Sequence, residues 1–426
     1  MRAFRHALAA LLCLAPAAAG AQRRPAAPTD AMKREVIDSL ATALERLYAA
    51  PDTGRLIAAR VRERLAAGAY RPLDDWQRFA RAVTQDLQSV NADTHLWLEA
   101  GPPAGGPGGP GPGAALHGVE RVERLAGNVG WLRMSGFGGG ESALAAVEGA
   151  LRQLATADAI VLDLRNSRGG SGELANFVIS HFVRDSVHSL TVYFRPQDRT
   201  TQRYTLARVP GPRRTDVPLY VLTDDVTRSA AEDVPFVLQN LKRARIVGGR
   251  TAGAGRNNAG LPMPYGLSAS ISISRVMEPS TRREWERVGI TPDVAVPADS
   301  ALHAAHRLAL DTLVAAATGA RRRELELTRE VVLAEQAGRR LPEATLRRWA
   351  GTYEGGQSLA VHDGRLVYQP RVAQPRVVLV PLGDTRFGSG ATRYEIVQAN
   401  GRPSLRITTP DGTSTAYARE DAGERR

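Results

Sequence analysis

A serine stands where an α/β protein could put it to chemical use. In VLTDDVTRSAAEDVPFVLQN an apolar strand passes through a polar turn into a helix starting at Ala230, and Ser229 occupies the helix start. With Glu232 three residues on, Ser229 fits a capping box, which requires no chemistry. At the carboxyl end of a parallel strand it would also lie where open α/β sheets bind ligands, with the helix N-terminus and the Ala230 amide favouring a developing oxyanion. A second turn, Asn166-Ser167-Arg168-Gly169-Gly170-Ser171-Gly172, follows AIVLDLR and precedes another helix. Its bare amides can approach an anion closely, although glycines alone require only a tight strand-to-helix turn. A P-loop is excluded, because no Gly-Lys-Ser/Thr and no lysine lies near this turn.

The elements that would carry these turns follow from periodicity. Apolar spacings of three and four from Asp30 to about Val90 predict a helical N-terminal domain, residues 30–99, ending in ADTHLWLEA as a short strand. The run GPPAGGPGGPGPG reads as a flexible linker within 100–117. Strand patterns at 129, 159, 190, 218 and 245 alternate with helical ones, which predicts a largely parallel sheet in a core spanning 118–300. SASISISRV at 268 reads as an edge hairpin. A helical connector, 301–340, leads to residues 341–420, where Asp363-Gly364, Asn400-Gly401 and Asp411-Gly412 signal hairpins of a separate β-domain, a small barrel or sandwich.

Composition narrows the setting. With 426 residues, 43% of them hydrophobic, the chain is long enough for two or three compact units. The net charge is +12, yet of 56 basic residues only Lys33 and Lys242 are lysines. The arginines are scattered, apart from short clusters such as Arg321 to Arg323, and no basic helix is interleaved with aromatics; they read as solvated faces, not as a nucleic-acid footprint. MRAFRHALAALLCLAPAAAGAQ reads as a secretory signal peptide, residues 1–21, whose apolar run is too short to span a membrane. The expectation is an exported protein, periplasmic or extracellular, without stable membrane insertion. Cys13, the sole cysteine, would leave with that segment, and Leu12 before it is bulkier than a lipoprotein signal uses. No disulfide, thiol nucleophile or cysteine-ligated metal would remain.

Taken together, DLRNSRGGSG, SAAED, KRARIVGGRTAGAG and ERVGITPDVAV resemble the core of the tail-specific, or C-terminal processing, serine protease family, in that family's order over roughly residues 30–300. Related members include the tricorn protease core and the interphotoreceptor retinoid-binding protein repeats. The resemblance implies an α/β, crotonase-like (ClpP/crotonase) catalytic core between the helical N-terminal domain and the C-terminal all-β domain, with Ser229 as nucleophile. The best-known branch pairs its serine with a lysine about 25 residues on. Here that position is Ala254, and Lys242 would lie about 20 Å from Ser229 along a helix. Nor is there room for a PDZ module between His95 and Val129.

Without a lysine, a histidine is the natural base near neutral pH. His303, His306 and His362 read as solvated, His181 and His188 as structural, and His117 ends the linker. His95, in Asn91-Ala92-Asp93-Thr94-His95, resembles the D-x-H-T or S-H element whose histidine serves the nucleophile in the tricorn-like branch. Glu286 matches that branch's acidic position and would orient the imidazole. The implied site is therefore Ser229, His95 and Glu286, with Gly169 or Gly170 and Ala230 as oxyanion donors. Each has a plainer alternative: a capping serine, a core histidine, a loop glutamate. The substrate would be a peptide or protein, and no metal or cofactor is implied. A noncatalytic binder of peptides or apolar ligands on the same fold is the main rival, and ligand binding by the β-domain a second.

Overall fold

The inner strands of the central sheet are apolar on both faces, and this sets the layering of the core. In the computed structural model, which describes residues 27–101, 117–184, 186–211, 213–370, 374–399 and 401–420, six strands pair in the order β12-β8-β7-β4-β3-β2. They are β2 (Val119–Leu125), β3 (Val129–Met134), β4 (Ala159–Asp163), β7 (Leu219–Thr223), β8 (Arg245–Gly248) and β12 (Val294–Ala295). All neighbours run parallel except β2 against β3. Side chains alternate between two cores. Leu132, Ile160, Leu162, Val221 and Ile246 face α4 (Glu141–Gln153), α5 (Gly172–Ser180) and α6 (Ala230–Asn240). Val129, Trp131, Val161, Tyr220 and Val247 face the opposite way, onto α7 (Ala301–Ala316) and α8 (Gly319–Gln336). The proposed signal segment and residues 102–116 of the Gly/Pro-rich run lie outside the described residues, as does Asn400.

Three helices, α1 (Asp30–Leu47), α2 (Pro51–Ala66) and α3 (Trp76–Asn91), pack into a cluster of their own with β1 (Trp97–Ala100) and β10 (Leu267–Ser272). Here the chain departs from expectation. SASISIS was read as an edge hairpin, yet β10 is the middle strand of the sheet β1-β10-β9, with β9 spanning Asn258–Met263. Its serines look like a solvent face, but Ser268, Ser270 and Ser272 are all buried. Two of them are hydrogen-bonded: Ser268 Oγ donates to the Gly101 carbonyl (3.1 Å) and Ser270 Oγ accepts from Asn258 Nδ2 (2.5 Å). Small hydroxyls can be buried when paired, so alternating serines need not mark an edge strand.

β11 (Ser274–Met277) leaves that sheet to pair with β5 (His188–Phe194), which pairs in turn with β6 (Arg199–Tyr204). LTVYFR is thus in an antiparallel ribbon and not in the parallel sheet, because the turn at 195–198, with Asp198 at φ 42°, folds β6 back onto β5. His306, read as solvated, is buried on α7 with Nε2 2.9 Å from the Ala126 carbonyl, since α7 covers the second face of the sheet; His303 and His362 are exposed.

After α9 (Glu343–Trp349), eight antiparallel strands from β13 (Gly351–Tyr353) to β20 (Ser414–Ala418) pair in sequence order. A bridge between Tyr353 and Arg419 joins the ends into a barrel-like sheet, filled by Tyr353, Leu359, Leu366, Phe387 and Leu405 and plugged by Leu346 of α9. The architecture is a helical N-terminal region, a mixed α/β core and a C-terminal barrel-like sheet. Among the described residues no helix is long and apolar enough to cross a membrane.

Candidate active site

Three turns at the carboxyl ends of β4, β7 and β8 are stitched into one surface. Asp224, just after β7, accepts from the amides of Val226 (3.1 Å) and Thr227 (2.9 Å) in its own turn. Its other oxygen accepts from the amide of Asn166 (2.9 Å) in the turn after β4. Thr227 Oγ1 donates to the Leu164 carbonyl (2.9 Å), and the Arg228 amide to Ser167 O (3.0 Å). The Ala252 amide, after β8, donates to Thr227 O (2.9 Å). An aspartate and a threonine here satisfy backbone groups that strand ends leave open, and they fix Ser229 against the glycine turn.

Ser229 has the expected capping relationship with Glu232, whose carboxylate accepts its amide at 2.9 Å. Its backbone is not that of an ordinary cap. Thr29 and Asp75, the caps of α1 and α3, are extended, whereas Ser229 sits at φ 56°, ψ −132°. Such a conformation costs a non-glycine residue about 1–3 kcal/mol and concentrates at functional sites. Glu232 holds the strained corner in place. It is buried, and it also accepts from Thr251 Oγ1 and from the amides of Gly253 and Ala254 (both 2.8 Å). Burial raises its pKa while these bonds oppose the rise.

Gly169 fits closely against this corner. At φ 81° it adopts a conformation side chains rarely take, and an added Cβ would lie 2.6 Å from Arg228 O, 2.8 Å from Ser229 Cβ and 2.9 Å from Ala230 N. Gly170 instead backs onto the Phe137 carbonyl. The amides of Gly169, Gly170 and Ala230 make no hydrogen bond among the described residues. Gly169→Ala keeps the amide but forces a Cβ against Arg228 and Ser229, and is expected to displace the donor and lower any Ser229-dependent turnover by about 10² or more, the scale of one ineffective oxyanion donor, with the circular dichroism spectrum retained. Wild-type turnover in this variant would place the reacting atoms elsewhere.

His95 approaches from the helical region. Arg228 Nη2 donates to Thr94 Oγ1 (2.5 Å), so the turn carrying His95 is tied to the residue before Ser229. The imidazole is 1% exposed, and neither ring nitrogen has a hydrogen-bond partner among the described residues. A buried polar atom left unpaired costs about 1–3 kcal/mol and calls for an explanation. Burial pushes the imidazole pKa down to about 4; Arg228 and Arg256 push the same way and Asp93 opposes them. Asp93 Oδ1 is 3.8 Å from His95 Nδ1. Arg256 lies 3.5 Å from Asp93 and 3.9 Å from Glu286, so both carboxylates share one guanidinium. Glu286 accepts the Gly255 amide at 2.8 Å, and burial followed by the charge of Asp93 pushes its pKa up to about 7.

The structure thus gathers Ser229, Gly169 and Ala230 at one corner, sets His95 beside Arg228, and joins Glu286 to Asp93 through Arg256. No hydrogen bond or ion pair joins Glu286 directly to His95 among the described residues. Ala254 is buried where the better-known branch has its lysine, and its amide serves Glu232. Lys242 is exposed beyond the far end of α6, and Lys33 is buried on the carbonyls of Tyr70 (3.0 Å) and Arg71 (3.1 Å). Sequence reasoning quoted Asp93 without giving it a role and passed over Tyr48, Arg228 and Arg256. Nothing in local pattern marks a tyrosine just past the end of one helix and an arginine 208 residues away as partners, although they share a hydrogen bond. No group of three or more His, Cys, Asp and Glu side chains is placed to hold a metal among the described residues.

Residues 128–296 match the model of peptidase family S41, and residues 29–109 match that of the N-terminal domain of peptidase S41 in eukaryotic IRBP. The chain therefore carries a peptidase family S41 domain preceded by an S41 N-terminal domain. Two curated relatives are carboxyl-terminal-processing proteases. That of Synechocystis sp. (strain ATCC 27184 / PCC 6803 / Kazusa) is 30% identical over 171 residues, 40% of this chain and 38% of the relative. That of Picosynechococcus sp. (strain ATCC 27264 / PCC 7002 / PR-6) is 30% identical over 177 residues, 41% of each chain. The chain thus matches about two fifths of the length of these relatives. A crystal structure of a Parabacteroides merdae ATCC 43184 protein superposes with a TM-score of 0.51 at 19% identity, covering 67% of this chain and 99% of that one, a likeness of fold.

Proposed function

We propose that this chain is an exported serine peptidase that cleaves peptide bonds through a Ser229 ester, on a crotonase-like core and without a lysine base. The observation that carries the reading is the buried His95 imidazole, both nitrogens unpartnered, on a turn that Thr94 ties to Arg228, the residue before the strained Ser229. Ser229 Oγ attacks the scissile carbonyl carbon while its proton passes to a ring nitrogen of His95. The oxyanion that forms is met by the amides of Ala230 and Gly169 or Gly170. The C–N bond then breaks, the proton on His95 goes to the departing amine nitrogen, and water repeats the sequence on the ester, returning the proton to Ser229. A carboxylate beside His95 balances the imidazolium, and Glu286 is the one the family resemblance implies. Substrates would be peptides or proteins, as the relatives' names suggest.

An imidazole held below its ordinary pKa stays neutral, and therefore able to accept a proton, until the pH falls well under 6.5. The acidic limb of kcat/KM, which reports the free enzyme, is expected near pH 4 to 5 if the protein remains folded there. A limb at 6.5 or above in a pH–rate profile would contradict the desolvated setting of His95. The function itself is tested by incubating the purified chain with an unstructured protein and sequencing the new termini. Cleavage blocked by a fluorophosphonate supports it, and the absence of cleavage together with tight peptide retention would favour a binding protein.

A further inference from the structure

Resting on that reading, we infer that Asp93, and not Glu286, is the carboxylate that positions the His95 ring for proton transfer from Ser229. A carboxylate can choose an imidazole tautomer only from beside a ring nitrogen. Asp93 Oδ1 is 3.8 Å from His95 Nδ1, within ion-pair range and one small adjustment from a hydrogen bond. The contacts of Glu286 run instead to the Gly255 amide (2.8 Å) and to Arg256 (3.9 Å).

Asp93 is also held as a positioning group must be. It is fully buried, and Oδ1 accepts the amide of His95 itself (2.9 Å), so carboxylate and imidazole move together. Oδ2 accepts the hydroxyl of Tyr48 at 2.8 Å. That hydroxyl accepts from Asn91 Nδ2 (2.6 Å) and from Arg256 Nη1, which leaves its single proton directed at Asp93. The residue capping the end of α1, the last residue of α3 and the loop before β9 thereby fix one carboxylate.

The charged groups around the ring are Asp93 on its own turn, Arg228 before α6 and Arg256 before β9, with Glu286 reached through Arg256. With two guanidiniums nearby, an imidazolium forming at His95 needs a close negative charge, and Asp93 is the carboxylate in contact range. Glu286 is the weaker candidate on charge as well, since its raised pKa leaves it partly protonated near neutrality. In this arrangement Glu286 balances Arg256 and anchors the Gly255 loop, and Asp93 addresses the base.

The test compares Asp93→Asn with Glu286→Gln in full-length mature protein. The readouts are the rate of Ser229 modification by a fluorophosphonate and the ring-nitrogen NMR shifts of His95, assigned by difference against His95→Ala. Asp93→Asn is expected to slow modification by about 10³-fold or more, as when an amide imposes the wrong tautomer, and to move the ring proton from Nδ1 to Nε2. Glu286→Gln is expected to slow it less than about tenfold and leave the tautomer alone, since it does not touch the ring. Should Asp93→Asn fail to fold, Tyr48→Phe keeps the aromatic ring and removes the proton aimed at Oδ2. It should slow modification about tenfold, in line with losing one hydrogen bond to a charged group. A wild-type rate or an unmoved tautomer in Asp93→Asn, a wild-type rate in Tyr48→Phe, or both effects appearing in Glu286→Gln would overturn the assignment. A wild-type protein that the probe does not modify would count against the serine reading instead, and the tautomer comparison would still decide the role of Asp93.

Discussion

Replacing Ser229 by alanine is expected to reduce peptide cleavage by about 10⁶-fold, the scale seen when the nucleophile of an acting unit is removed. The loss is chemical and not structural. The amide of residue 229 still reaches the Glu232 carboxylate, and Glu232 still holds the amides of Gly253 and Ala254. Losing the serine cap should cost about 1 kcal/mol of stability. That is a few degrees of melting temperature for a domain of 150 residues or more. Activity should therefore vanish from a folded protein, as measured by peptide turnover beside a thermal melt. Residual turnover within tenfold of wild type would show that Ser229 is a cap and nothing more.

His95→Ala is expected to lower turnover by about 10²–10⁴-fold, the usual worth of a general base, while Lys242→Ala leaves it unchanged. The contrast matters because Ala254 stands where a lysine serves in the better-known branch, and Lys242 is exposed past the end of α6. His95→Ala should also fold well, since its ring nitrogens satisfy no partner whose loss would leave a buried group stranded. In the double variant with Ser229→Ala the His95 loss should disappear, because residues acting as one unit are not additive. Steady-state kinetics on the wild type and these four variants check this, and a Lys242 defect matching that of Ser229 would remove His95 as the base.

Much of the site is legible in local sequence because local physics makes it. The serine after an apolar strand, the Asn166 to Gly172 turn and the Ser229-Glu232 spacing are each governed by residues within a few positions of one another. The parallel core was readable because its strands are apolar on both faces. Two kinds of feature were not. Strand pairings that depend on distant partners, such as β10 lying between β1 and β9, require knowledge of which serines are satisfied in the interior. The cluster of Tyr48, Asp93, Arg256 and Glu286 draws one hydroxyl and three charged groups from four segments, and only the folded chain shows that one guanidinium serves two carboxylates.

The proposed chemistry turns on acylation of Ser229. The most direct measurement of this step is acid-quenched intact and peptide mass spectrometry after mixing the purified protein with an excess of an activated ester. One acyl group per chain is expected on the peptide containing Ser229, formed in a burst, absent from Ser229→Ala and slowed in His95→Ala. An adduct on any other residue, or turnover of the ester with equal rate in Ser229→Ala, would contradict it.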